Sequence, residues 1–135
     1  MSAFNFVLAY VADVPKSAAL YGKILGLQPV ESSPSFAMFV LPNGVQFGLW
    51  AKHDVEPAAN DPGGIELAFT VPDEAGVAAI VKEWRGYGLT VLQPPTVMDF
   101  GLTATLEDPD GHRLRVFAPG VTATHSRAAL EGAPA

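Results

Sequence analysis

Between Phe4 and Phe117 the chain spells one succession of elements twice, and a duplicated sequence has to fold as two similar units. In the first copy Phe4 to Val11 reads as an apolar strand. Asp13 follows as a helix cap with Pro15 in the first turn, and Leu20, Tyr21 and Ile24 recur at helical spacing before Gly26 stops the helix. Phe36 to Leu41 and Val45 to Trp50 then flank Pro42-Asn43-Gly44, a hairpin signal, with room for another strand near Leu27 to Val30. In the second copy Ile65 to Val71 is the strand and Asp73 the cap. Val77, Ile80, Val81 and Trp84 make the helical stripe, which ends around Gly86 and Gly88. Leu89 to Leu92 predicts a short strand, and Leu102 to Leu106 pairs with Arg113 to Phe117 across Pro109-Asp110-Gly111. The two caps lie 60 positions apart and the two turn glycines, Gly44 and Gly111, lie 67 apart, so the order repeats with little drift.

This pattern predicts an α+β chain of two tandem βαβββ modules, about 1–54 and 64–120, within one domain spanning 1–120. A connector of about Val55 to Gly63 joins them, and 121–135 is an Ala-rich tail expected to fray or to fold only against a partner. Each sheet has one face under its helix and one face bare, and strand side chains alternate between the two. The bare faces are the expected binding surface.

Composition removes several classes of function. With 14 acidic against 8 basic side chains the net charge is −6 and the cations are scattered, so neither nucleic acid nor an anionic membrane is an expected partner. The absence of Cys removes disulfides, thiolate nucleophiles and cysteine-held metals. Phe4 to Ala12 is too short to cross a bilayer and lacks the features of a secretory signal, so a cytoplasmic protein is the expectation. There is no glycine-rich phosphate loop and no serine in a nucleophile elbow.

Val11-Ala12-Asp13, Leu20-Tyr21, Gly26-Leu27, Pro42-Asn43-Gly44 and Glu107-Asp108-Pro109-Asp110-Gly111-His112, taken in order, resemble the vicinal-oxygen-chelate superfamily, the glyoxalase/bleomycin-resistance/dioxygenase fold, over about residues 4 to 118. The resemblance implies an eight-stranded cup built from the paired modules, usually completed in a homodimer. It also implies that metal enzymes of the family carry a ligand on the first and last strand of each module. By the family spacing those positions are Phe6, Gly48, Glu66 and Arg115. Phe and Gly offer no donor atom and a guanidinium repels a cation, so Glu66 alone could ligate and no metal or other cofactor is expected. His53, His112 and His125 fall in the connector, beside a turn and in the tail.

Placing those four positions inward fixes the rest of the expected lining by alternation: Leu8 with Phe6, Gln46 and Trp50 with Gly48, and Phe117 with Arg115. Three-residue hairpin loops add Phe36 and Met38 and turn Leu102, Ala104 and Leu106 toward the helix. Gly48 should leave a hollow. Met98-Asp99-Phe100-Gly101, just before a strand, resembles the loop that carries an aromatic ring over the ligand in bleomycin-resistance proteins, which makes Phe100 the expected lid beside Met98.

An aromatic stripe is more often plain core, and Trp84, Tyr21 and Phe69 read that way. Trp50 differs because it ends a strand with the bare-face parity. The lining suits a small, flat, aromatic or amphipathic molecule held by stacking and sequestered without turnover. Glu66 and Arg115 would form a carboxylate–guanidinium pair that is structural or orients the ligand. The alternatives are a metal-independent lyase or isomerase using that pair as acid and base, and a metal-dependent glyoxalase or dioxygenase whose ligands lie elsewhere.

Overall fold

The computed structural model describes residues 3–61 and 63–121, and the chain parts into two compact units between positions 62 and 63. The first unit runs β1 (Phe6–Val11), α1 (Val14–Leu25), β2 (Glu31–Ser32), β3 (Phe36–Val40) and β4 (Gln46–Ala51), followed by a 3-10 turn at Lys52–Asp54. The second runs β5 (Glu66–Thr70), α2 (Glu74–Gly86), β6 (Thr90–Met98), β7 (Gly101–Glu107) and β8 (Arg113–Ala118). Each unit is a four-stranded sheet with one helix, ordered β1-β4-β3-β2 and β5-β8-β7-β6. In both, the first strand pairs in parallel with the last and the remaining pairs are antiparallel. The tandem βαβββ organisation expected from the repeat is therefore present.

The helices start where local chemistry dictates. Asp13 is extended and its carboxylate accepts the Lys16 N–H at 3.1 Å, with a proline in the first turn, while Asp73 accepts the Gly76 N–H at 2.8 Å. Asp13→Ala should cost about 0.5–2 kcal/mol, read as a lower urea midpoint at unchanged slope; an unchanged midpoint would remove the cap from the account of α1.

Burial follows strand parity in β1, β3, β5 and β8, whereas every residue of β7 from Gly101 to Leu106 is buried. In the first unit Ala9, Val11, Ala37, Phe39, Phe47, Leu49 and Ala51 are buried together with Val14, Ala18 and Tyr21 of α1, and the Tyr21 and Phe47 rings lie 5.0 Å apart. In the second unit Leu102, Ala104, Leu106, Leu114, Val116 and Ala118 are buried along with Val77 and Trp84 of α2. The Trp84 ring meets Phe69 edge-on at 5.0 Å. Both hairpins close through three-residue loops, because Leu41 pairs with Val45 and Asp108 with His112. This register puts Leu102, Ala104 and Leu106 on the helix-covered face, as the alternation predicts.

Three expectations change. Phe4 lies outside β1 and is 95% exposed. The space at Leu27 to Val30 is not a strand; the pairing begins one residue later and covers only Glu31 and Ser32. The short strand at Leu89 to Leu92 is in fact the nine-residue β6, which continues through Pro94 and Pro95 to Met98. Prolines break a central strand but are tolerated at an edge and at bulges. β6 is the edge of its sheet, and its register shifts between Val91 and Gln93 and again between Gln93 and Thr96. The tail after Val121, including His125, lies outside the described residues.

Candidate binding faces

The bare face of the first sheet carries Phe6, Leu8 and Tyr10 from β1, Gln46, Gly48 and Trp50 from β4, and Phe36 and Met38 from β3. The register sets Leu8 and Met38 on either side of Gly48, and Tyr10 and Phe36 on either side of Trp50. Phe6, Leu8 and Tyr10 are 36–42% exposed, whereas the alternate residues of the same strand face the helix. Tyr10 and Trp50 meet edge-to-face at 6.3 Å. The face is apolar and ring-rich.

Gly48 is where the structure departs from expectation. No hollow stands above it: a methyl group built there would lie 2.8 Å from Leu8 Cδ2, 3.1 Å from Phe36 Cζ and 3.1 Å from Phe6 Cε1. Three apolar side chains fold down onto the bare backbone, so the glycine permits close approach and the middle of the face is filled by its own neighbours.

The second sheet presents a different face. Arg115 grips Glu66 side-on: Nε donates to Oε1, and Nη2 donates to Oε2 at 3.2 Å. Its Nη1 donates to Thr103 Oγ1 at 2.9 Å and to Gln93 Oε1 at 3.3 Å. Thr103 donates onward to the Val116 carbonyl at 3.4 Å. Thr105 donates to Gln93 Oε1 at 3.4 Å, and Gln93 Nε2 donates to Met98 Sδ at 3.4 Å. The Arg115 side chain is 18% exposed and that of Glu66 33%.

Met98-Asp99-Phe100-Gly101 is the turn of a hairpin, in which Met98 pairs with Gly101 and Asp99 and Phe100 form the tip. Phe100 is half-exposed, lies edge-on to Phe117 at 6.0 Å and has the Arg115 guanidinium carbon 5.7 Å from its ring centre. Gly101 holds this tip with φ +135, and a methyl group there would fall on the Ala118 carbonyl oxygen.

The residues singled out from sequence thus fall into two sets. Phe6, Leu8, Phe36, Met38, Gln46, Gly48 and Trp50 share the bare face of the first sheet. Glu66, Arg115, Phe117, Phe100 and Met98 gather on the second, where Gln93, Thr103 and Thr105 join them unforeseen. The two threonines were readable from Leu102-Thr103-Ala104-Thr105-Leu106, where every second residue faces away from the helix. Gln93 lay beyond the expected end of its strand.

The donor atoms at the four family ligand positions do not suit a divalent cation. Phe6 and Gly48 have none, and the one carboxylate is engaged by a permanent guanidinium cation. Among the described residues no three His, Cys, Asp or Glu cluster in a way that could hold an ion. No helix among them is long and apolar enough to cross a membrane.

Two βαβββ modules of this topology, each with one helix and one bare face, define the class of protein. The family model of the Glyoxalase/Bleomycin resistance protein/Dioxygenase superfamily matches residues 3–116, and the chain belongs to that superfamily. Among characterised relatives it is similar to the phenazine antibiotic resistance protein EhpR of Enterobacter agglomerans, with 30% identity over 115 residues, 83% of this chain and 88% of that one. Protein ATC0852 from Agrobacterium tumefaciens, solved by solution NMR, is 47% identical with a TM-score of 0.83, covering 89% of this chain and 99% of that one. A glyoxalase-related enzyme from Fulvimarina pelagi is 25% identical with a TM-score of 0.78, covering 87% of this chain and 88% of that one.

Proposed function

We propose that this protein binds a small, planar, aromatic compound on its bare sheet faces and protects by sequestration, without metal and without turnover, as a cytoplasmic homodimer. The observation that carries the reading is the ring-rich face of Phe6, Tyr10, Phe36 and Trp50, apolar and partly exposed, which offers stacking surface and no reactive group. The similarity to a phenazine antibiotic resistance protein makes three-ring heteroaromatics the first compounds to test. Glu66 and Arg115 then position rather than react. Each carboxylate oxygen already accepts a guanidinium N–H, and the guanidinium is anchored on three further side chains, an arrangement that fixes geometry.

Titrating phenazine into the protein should quench tryptophan fluorescence saturably, and the compound should be recovered chemically unchanged after extraction. Conversion to a new product would favour the lyase or isomerase alternative. Trp50→Ala should weaken binding by about 1–3 kcal/mol, the worth of a stacked ring in an interface; an unchanged Kd measured by calorimetry would remove Trp50 from the site. Sedimentation at twice the chain mass would support the dimer.

A further inference from the structure

Arg115 sits at the centre of the hydrogen-bonded side chains of the second bare face, and counting its donors narrows the ligand. A guanidinium has five N–H groups. Nε and one Nη2 hydrogen go to Glu66, and the two Nη1 hydrogens have Thr103 and Gln93 as acceptors. One Nη2 hydrogen remains without an acceptor among the described residues. Gln93 adds a second, since its Nε2 spends one hydrogen on Met98 and its Oε1 is taken by Arg115 and Thr105. The side-on fork that recognises a carboxylate in two-point fashion is already filled by Glu66. Charge is balanced as well: on the same face Glu107 stands directly opposite Arg113 across the β7–β8 ladder, which in turn is level with Glu66 on β5. The face has donors to give and no net positive field with which to attract an anion.

We propose that this face selects uncharged flat heteroaromatics bearing a single-point hydrogen-bond acceptor at the ring edge, a ring nitrogen or a carbonyl, and discriminates against carboxylates of the same shape. Arg115 is the specificity-determining residue, held by Glu66, Gln93 and Thr103 and backed by Phe100. A neutral acceptor takes one free N–H at no electrostatic cost. A carboxylate finds the Arg115 fork filled and meets the Glu66 charge instead. This rests on the stacking reading above and names the compound class that reading leaves open.

Three probes of one shape test it: acridine, with a single ring nitrogen; anthracene, with no acceptor; and anthracene-9-carboxylate, with an anion at the corresponding edge. At pH 8 the wild-type protein should bind acridine about tenfold more tightly than anthracene, one hydrogen bond's worth, and anthracene-9-carboxylate no better than anthracene. Arg115→Met should erase the acridine advantage while leaving anthracene affinity within about twofold. Glu66→Gln frees half of the fork and leaves the cation unbalanced, so it should raise affinity for the carboxylate about tenfold over wild type. Equal binding of acridine and anthracene, or a wild-type preference for the carboxylate, would overturn the proposal while stacking itself survived. If none of the three bound, the stacking reading would fall and take this one with it. Because the wild-type comparison needs no variant, a poorly folding substitution does not rescue the idea.

Discussion

Trp84→Ala should lower stability by about 3–5 kcal/mol, the usual toll for truncating a fully buried aromatic. The side chain is 2% exposed, belongs to the helix that covers the second sheet, and lies edge-on to Phe69. Its removal opens a void in a close-packed core, of which Val77, Leu106 and Leu114 are other fully buried members, and such a core relaxes only in part. Urea unfolding followed by far-ultraviolet circular dichroism reads the loss, and Trp84→Phe should recover much of it because part of the ring contact survives. A loss below about 1 kcal/mol would mean that α2 is held by something other than its apolar stripe.

The second large effect is expected at Gly101, where alanine should cost about 3–5 kcal/mol: strain for a side chain at positive φ plus a steric conflict with backbone that has no rotamer to yield. The obstructing atom is the carbonyl oxygen of Ala118, so relief demands that β7 and β8 separate where Leu102 pairs with Ala118. Phe100 sits next in the chain and would move with the turn, and with it the ring against which Arg115 and Phe117 rest. Thermal unfolding and acridine titration on the same variant should therefore both deteriorate. Retained stability with lost binding would show that Gly101 sets the tip alone. Retained binding with lost stability would remove Phe100 from the ligand's surroundings.

The fold was legible where neighbouring residues settle the matter. Asp13 and Asp73 cap the helices they precede, and the two three-residue turns set a register in which Leu102, Ala104 and Leu106 face inward. Each of those outcomes is decided within a few positions of chain. The extent of β6 was not legible, because a pair of prolines looks like a terminator until one knows that the strand is an outer one with irregular pairing. The surroundings of Gly48 were hidden for a similar reason. The residue type says that nothing projects from the backbone, but what leans in from Phe6, Leu8 and Phe36 depends on strands brought alongside by the tertiary fold. Glu66 and Arg115, 49 positions apart, were matched through the repeat, whereas Gln93 could be seen beside them only once its strand had been followed past Leu92.

The prolines of β6 bear on more than the length of a strand. An outer strand with free amides invites another chain to zip onto it, the first step toward domain exchange or fibrils. Pro94 and Pro95 present two successive positions with no N–H to offer, set in a stretch whose bulges already throw off regular spacing. At the opposite end of the design, β2 offers just two residues as the outer strand of the first sheet. Neither rim gives an incoming strand a long, even row of partners, so a molecule that displays greasy rings to catch its ligand is protected against self-adhesion along these two seams.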